Sequence, residues 1–210
     1  MARGGYSRGL APGELMIRIA SLVIAFIFAT PVVARADARD DVQHSLQRIV
    51  AAGGFRGHVS GHVFGPDLPA MSGEVDVLFP DRIHARTDDM EFIVTPAGAW
   101  LSALGYWTPA DRSLLPVTAF DPVAMRKAIA SIRDAREEGT SKTAQCAARV
   151  YRFRASGQLP GANADGDVRL WACEGDGRPA RLEASGNGGR GRVIVDFDWS
   201  RRPRVDAPSD

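Results

Sequence analysis

The segment Met71-Ser-Gly-Glu-Val-Asp-Val-Leu-Phe79 indicates the fold class of this chain. Its odd-numbered positions give one apolar face, with Met71, Val75, Val77 and Phe79, and Glu74 and Asp76 lie on the opposite side. This is the pattern of a β-strand that is buried on one face only. Residues 55–63 alternate in the same way, so we expect neighbouring strands of an antiparallel sheet that is wet on one side.

The same period of two recurs along the chain, between turns rich in Gly, Asn, Asp and Pro. It predicts further strands at residues 82–86, 90–95, 99–104, 144–155, 167–173, 180–185 and 192–199. Helical spacing instead predicts two helices, over residues 40–52 and 122–138. Asp121 is the expected N-cap of the second helix, with Pro122 in its first turn, and glycines follow both helices.

Residues 1–36 have the organisation of a secretory signal peptide. Arginines precede an apolar run over residues 17–33, and Ala34-Arg35-Ala36 follows it, so we expect cleavage after Ala36. The run is shorter than the roughly 20 residues of a spanning helix. An uncleaved membrane anchor is the alternative, and Met16 is an alternative start. No cysteine stands near the cleavage site to carry a lipid, so we expect a soluble periplasmic protein without a lipid anchor.

The expected mature chain is close to neutral. Removing residues 1–36 leaves 22 basic and 24 acidic residues. A nucleic-acid-binding protein needs a clustered basic surface, so no nucleic-acid partner is expected. The length favours one domain, over residues 37–200, followed by a loose polar tail over residues 201–210.

Two cysteines, Cys146 and Cys173, remain in this expected mature chain. In an oxidising compartment an even and small number of cysteines is interpreted first as a disulfide. Both residues lie in or beside predicted strands of one meander, and neither belongs to a C-x-x-C pair. We therefore predict a structural bridge and no redox catalysis.

Four histidines raise the question of a metal site. His58 and His62 are four residues apart, which on a strand separates them by about 13 Å. One zinc ion cannot bind both side chains over that distance. A cross-strand meeting of either residue with His84 or Glu74 leaves a weak metal site as the alternative to plain surface histidines.

Catalytic signatures are missing from the sequence. It contains no G-x-S-x-G elbow, no P-loop and no H-E-x-x-H motif. The adjacent carboxylates Asp88-Asp89 and Glu137-Glu138 are expected at a hairpin turn and at a helix end, where they are solvated. We expect neither catalytic residues nor a cofactor, and an unrecognised hydrolase remains the less favoured class.

Residues 41–104 resemble the bacterial outer-membrane lipoprotein carrier (LolA/LolB-like) superfamily. The shared features are Asp41-Val42 and Leu46 in the first helix, Gly73-Glu-Val-Asp-Val77, Pro80-Asp81-Arg82-Ile83, Glu91-Phe-Ile-Val-Thr95, and Trp100 on the next strand. The remainder of the chain matches in plan only, with a helix and then strands. One position departs from the pattern: the carriers have an arginine, which ties the lid to the sheet, where this chain has Phe79.

The resemblance implies an α+β fold, in which a curved antiparallel half-barrel sheet is covered on its concave face by helices. Members hold acyl chains or lipidated proteins in the apolar cavity between the two layers. The expected cavity residues of this chain are Phe55, Val59, Val75, Val77, Phe79, Ile83, Phe92, Trp100, Tyr151, Phe153 and Trp171. Lining a cavity and filling a core require the same residue types, so the sequence leaves both open.

The function expected from these observations is that of a periplasmic binding or carrier protein for a hydrophobic ligand. Its partners would be a lipid or an acylated protein, with transient contact to a membrane surface. The alternative is an envelope sensor or interaction domain of the same fold, which binds an envelope protein and carries no lipid.

Overall fold

The computed structural model of the chain describes residues 34–62, 70–88, 90–103, 105–115, 117–185 and 191–208. The expected signal segment, residues 1–36, lies outside this description apart from its last three residues. No helix among the described residues has the length and hydropathy that crossing a bilayer requires.

The described residues form one open antiparallel sheet of 11 strands, which confirms the predicted sheet. In chain order the strands are β1 Gly54–Gly61, β2 Met71–Leu78, β3 Arg82–Thr87, β4 Glu91–Thr95, β5 Gly98–Ala103, β6 Tyr106–Pro109, β7 Arg133–Lys142, β8 Ala147–Leu159, β9 Ala162–Cys173, β10 Pro179–Ser185 and β11 Arg192–Asp198. They lie in the order β6-β5-β4-β3-β2-β1-β11-β10-β9-β8-β7. The last strand therefore pairs with the first, and β6 and β7 form the two edges.

The register of these strands separates two faces. Residues paired across antiparallel strands share a face, and each strand alternates between faces. Ile83 pairs with Val77, which pairs with Phe55, and on the other half Val195 pairs with Leu182. We call this side the apolar face. The opposite side, on which Arg56, Asp76 and His84 are paired in one row, is the polar face.

Two helices accompany the sheet, α1 over Ala34–Ala51 and α2 over Pro122–Ala130. The helix α1 begins six residues earlier than the sequence predicts and ends at Ala51, one residue before the predicted end. Gly53, with its positive φ of 75°, follows it. The helix α2 begins as predicted, because the Asp121 carboxylate accepts a 2.8 Å hydrogen bond from the Val123 amide.

The end of α2 differs from the prediction, which extended this helix to residue 138. Ser131 ends it: its hydroxyl donates to the Ala128 carbonyl at 2.7 Å and accepts from the Ser156 amide of β8 at 2.9 Å. The chain then enters β7, a strand that the sequence analysis missed. Glu137 and Glu138 consequently lie on an edge strand, not at a helix end.

The C-terminal segment also differs from the expected loose tail. Residues 201–208 have no helix or strand, yet Val205 is only 2% exposed. Arg82 of β3 donates to the Val205 carbonyl at 3.3 Å, and the Arg204 backbone donates to the carboxylate of Asp76 on β2. The segment is therefore attached to the sheet at β2 and β3.

The disulfide between Cys146 and Cys173 is present, as predicted. The two Cα atoms are 5.7 Å apart, and the bridge joins the start of β8 to the end of β9 across 27 residues. Ala148 already pairs with Cys173 in the strand ladder, so the bridge reinforces a pairing that the backbone makes.

Replacing both cysteines, as Cys146→Ser with Cys173→Ser, should lower the free energy of unfolding by about 3 to 4 kcal/mol. The reason is the larger entropy of an unfolded chain without a loop of this length. Urea unfolding of oxidised wild type and variant, followed by far-UV circular dichroism, measures the difference. An unchanged unfolding midpoint would contradict the stabilising role.

Candidate functional site

The apolar face brings together most of the residues predicted to line a cavity. Eight of them are buried in one hydrophobic cluster: Phe55, Val59, Val75, Val77, Ile83, Phe92, Tyr151 and Phe153. Phe79 is half-buried against the same cluster. The eight side chains are at most 7% exposed, so they contact protein atoms with little water-sized space beside them. In this structure the space over the apolar face is a packed core.

Trp100 and Trp171 do not belong to this set. Trp100 pairs with Ile93, and Trp171 pairs with Val150 and Arg181, which places both rings on the polar face. The guanidinium of Arg181 lies 5.8 Å from the centre of the Trp171 ring. The prediction of these two tryptophans as cavity residues is therefore wrong, because alternation directs Leu101 and Leu170 to the apolar face instead.

The helix α1 contributes to the same cluster. Val42, Leu46 and Ile49 recur at helical spacing and are all 0% exposed. The connection from β6 to β7 also reaches this cluster, since the ring of Phe120 lies 6.1 Å from that of Phe55 on β1. Apolar contact with the sheet thus comes from both α1 and the segment that leads into α2.

Polar contacts at Asp41 join α1 to the sheet. The buried Tyr151 of β8 donates its hydroxyl to the Asp41 carboxylate at 2.9 Å, and Arg149 of the same strand lies 3.3 Å from that carboxylate. Burial and the hydrogen bond to Asp41 raise the pKa of Tyr151 well above its usual range, so the hydroxyl stays protonated and donating. Sequence reasoning missed this contact, since 110 residues separate its partners.

The space between the two helices is a groove of about 440 Å³. It is lined from α1 by Gln43, Gln47, Val50 and Ala51, and from α2 by Arg126, Ile129 and Ala130. The Gln43 side-chain amide donates to the Ile129 carbonyl at 3.0 Å and links the two helices. The volume falls within the roughly 300–1,000 Å³ of small-molecule sites. None of the lining residues was among the predicted cavity residues.

The chemistry available in the groove suits binding. Its walls are aliphatic at Val50, Ala51, Ile129 and Ala130, and its polar groups are amides and one guanidinium. Ile129 also belongs to the cluster on the apolar face, so the groove floor is continuous with the core. Such a surface can hold an apolar chain, with polar groups fixing its orientation.

The histidines of the polar face have hydrogen-bond partners. His58 Nε2 lies 2.8 Å from the Ser72 hydroxyl, and His84 Nε2 lies 2.5 Å from the Glu91 carboxylate. Glu74 lies opposite His58 in the register but forms an ion pair with Arg56 at 2.8 Å. Within the described residues, no three His, Cys, Asp or Glu side chains are grouped to hold a metal ion.

Burial and neighbouring charged groups shift the pKa values of two carboxylates on the polar face in opposite directions. Burial raises the pKa of Asp76, against the attraction of Arg56 and His84. Burial also favours a higher pKa for Glu91. Hydrogen bonds from Arg86 and His84 outweigh this effect, so the pKa of Glu91 is lowered. These are the cross-strand pairs that complementary charge on neighbouring strands produces.

Comparison with known proteins identifies a fold and no family. No protein-family model matches the chain, and neither does any curated protein. LprF from Mycobacterium bovis is similar in structure, with a TM-score of 0.60 at 14% identity over 83% of this chain and 98% of LprF. The Mycobacterium tuberculosis lipoprotein LppX has a TM-score of 0.56 at 12% identity, over 81% of this chain and 99% of LppX. The chain therefore shares the fold of these two mycobacterial proteins.

The contact between α1 and the sheet yields a quantitative prediction. The Tyr151→Phe variant should lose about 1 to 2 kcal/mol of stability, because it removes a buried hydroxyl that donates to a carboxylate. The Arg149→Gln variant should lose less than about 0.5 kcal/mol, because both partners of that ion pair are substantially exposed. Chemical denaturation of the two variants measures both; a larger loss for Arg149→Gln would contradict this assignment.

Proposed function

We propose that this chain is a binding or carrier protein for a hydrophobic ligand that contains an acyl chain. The ligand enters at the groove between α1 and α2 and takes the place of the helices against the apolar face of the sheet. The observation that carries the proposal is the groove itself, which has aliphatic walls and a floor continuous with the core.

The fold supports this proposal in two ways. An open 11-stranded antiparallel sheet with two helices is consistent with a curved half-barrel whose concave side the helices cover. The resemblance of residues 41–104 to the lipoprotein carrier superfamily predicts the same layering. The fold shared with LprF and with the lipoprotein LppX agrees with that resemblance at the level of architecture.

The two layers differ in how they are held. Each inner strand of the sheet is hydrogen-bonded to a neighbour on both sides, whereas α1 is held to the sheet by apolar side chains and by the contacts of Asp41. Opening between the layers therefore exposes apolar surface without breaking strand pairing. An acyl chain that enters recovers about 25 cal/mol for each Å² of apolar surface that it covers again.

The contact that ties the lid in this chain is proposed to be Asp41 with Tyr151 and Arg149. The carriers use an arginine before a proline for this purpose, and Phe79 occupies that position here. A carboxylate on α1 that accepts from the sheet performs the equivalent task at a different place. No covalent chemistry is involved, and the protein would act in the periplasm, without a lipid anchor of its own.

Two measurements test this function on the full chain purified from a bacterial host. Native mass spectrometry with organic extraction shows whether a lipid accompanies the protein. Titration with a fluorescent fatty acid then gives the affinity. We expect a saturable complex with one ligand for each chain.

The Ala130→Trp variant should bind the fluorescent fatty acid about tenfold more weakly, or worse, because the indole fills the groove. A tenfold loss requires only about 55 Å² of lost apolar contact. Ala144→Trp is the matched control, since Ala144 is exposed in the turn between β7 and β8 and outside the groove.

Equal affinity of Ala130→Trp and wild type for the fluorescent fatty acid would show that the ligand does not bind in the groove. An empty protein that ignores acyl probes and instead retains a defined envelope protein would contradict the carrier function as a whole.

A further inference from the structure

The polar face carries a concentration of arginines at the end of the sheet formed by β7, β8 and β9. Two adjacent rows of paired residues contain five of them. In the first row Arg133 pairs with Arg154, and in the second Arg136 pairs with Arg152, which pairs with Arg169. At a strand spacing of about 4.8 Å, the second row spans roughly 10 Å. We call these five residues the arginine rows.

Like charges paired directly across strands are destabilising, so these rows need counter-charges. Two carboxylates supply part of this negative charge. Asp167 lies 2.8 Å from Arg152 and 3.8 Å from Arg154. Glu138 lies 3.0 Å from Arg169. The hydrogen bond from Arg152 lowers the pKa of Asp167, which keeps this carboxylate charged. Glu183 of β10 lies opposite Arg169 but is paired with Arg192 at 2.8 Å, so it adds no net counter-charge. Counting that pair, six guanidinium groups against three carboxylates leave three positive charges in excess.

Arg133 and Arg136 carry most of this excess. Both side chains are exposed on the edge strand, and neither forms an ion pair with a described residue. The next row outward contributes one further carboxylate, Asp165 opposite Ser156, which leaves the surface positive. The sheet as a whole is mixed in charge, so this region is a local feature.

The row on the other side of Arg169 adds an aromatic group. Trp171 lies two residues further along β9, so its ring is on the same face, half-buried and beneath the guanidinium of Arg181. Indole rings have an apolar body and a polar N–H, which suits the boundary between lipid headgroups and acyl chains. Guanidinium groups match the oxygens of phosphate in pairs.

We propose that the arginine rows, together with Trp171, form a docking surface for the phosphate headgroups of an anionic lipid bilayer. A row of exposed guanidinium groups that runs across three strands can meet several phosphates of a lipid surface at once. This surface lies on the polar face, so the proposal is independent of the groove and of any ligand there.

The test is co-sedimentation of the full chain with vesicles made of equal parts phosphatidylglycerol and phosphatidylcholine. Vesicles of phosphatidylcholine alone are the lipid control. We expect binding to the anionic vesicles only, and we expect it to weaken as added salt screens the charges.

The Arg133→Gln, Arg136→Gln double variant should bind the anionic vesicles about 30-fold more weakly, at roughly fivefold for each arginine near such a surface. The Arg201→Gln, Arg202→Gln double variant is the matched control, because it removes two exposed arginines of the C-terminal segment and changes the net charge equally. The Arg133→Lys, Arg136→Lys variant should keep most of the binding, which separates lost charge from damage to β7.

Three outcomes overturn the proposal. The first is equal binding of wild type and of the Arg133→Gln, Arg136→Gln variant. The second is an equal loss in the Arg201→Gln, Arg202→Gln control, which would reduce the effect to net charge. The third is stronger binding to single-stranded RNA or to an acidic polypeptide than to the anionic vesicles.

Discussion

The hydrogen-bonded register of the sheet determines which side chains reach the core of this protein and which reach solvent. From β6 to β7 every strand pairs antiparallel with its neighbour, so each side chain is assigned to one of two faces. A slip of one residue in any strand would exchange its two faces. Phe55, Val77 and Ile83 would then point to solvent, and Arg56, Asp76 and His84 would enter the core. The large cost of that exchange fixes the register.

This separation gives the two faces different roles. On the apolar face, Val42, Leu46 and Ile49 of α1 and Phe120 belong to the same buried cluster as the strands, without any strand pairing. The polar face keeps its charges in cross-strand pairs, except toward the β7 edge, where arginines outnumber acids. The helix α1 is thus held to the sheet by side chains alone, and the polar face presents the fixed charges of its arginines. Both proposals made for this chain follow from that difference.

The sequence predicts the parts of this fold in which local pattern and burial agree. Alternation identifies β1 and β2, Asp121 with Pro122 identifies the start of α2, and the two cysteines identify the bridge. It fails for β7, where Arg133 to Lys142 carry almost no apolar residue because an exposed edge strand need not bury a face. Charged residues without alternation are equally typical of the polar end of a helix, which the sequence favours here.

The wrong predictions of cavity residues also arise where the local sequence pattern does not report burial. Trp100 and Trp171 each stand beside a leucine in a run of consecutive apolar residues, and such a run does not indicate which residue points inward. The contact between Asp41 and Tyr151 and the attachment of Val205 join residues far apart in the chain, and no local pattern reports them. The groove between α1 and α2 likewise exists only after the helices pack.

Hydrogen–deuterium exchange with and without a fluorescent fatty acid shows whether the helices form a removable layer over a stable sheet. Amides of α1 and α2 should exchange well before those of β1, β10 and β11, since local opening leaves strand pairing intact. The bound acyl chain should slow exchange in the helices selectively. Exchange of α1 as slow as that of β1, unchanged by any acyl ligand, would instead show helices that do not open from the sheet, and would contradict the carrier function.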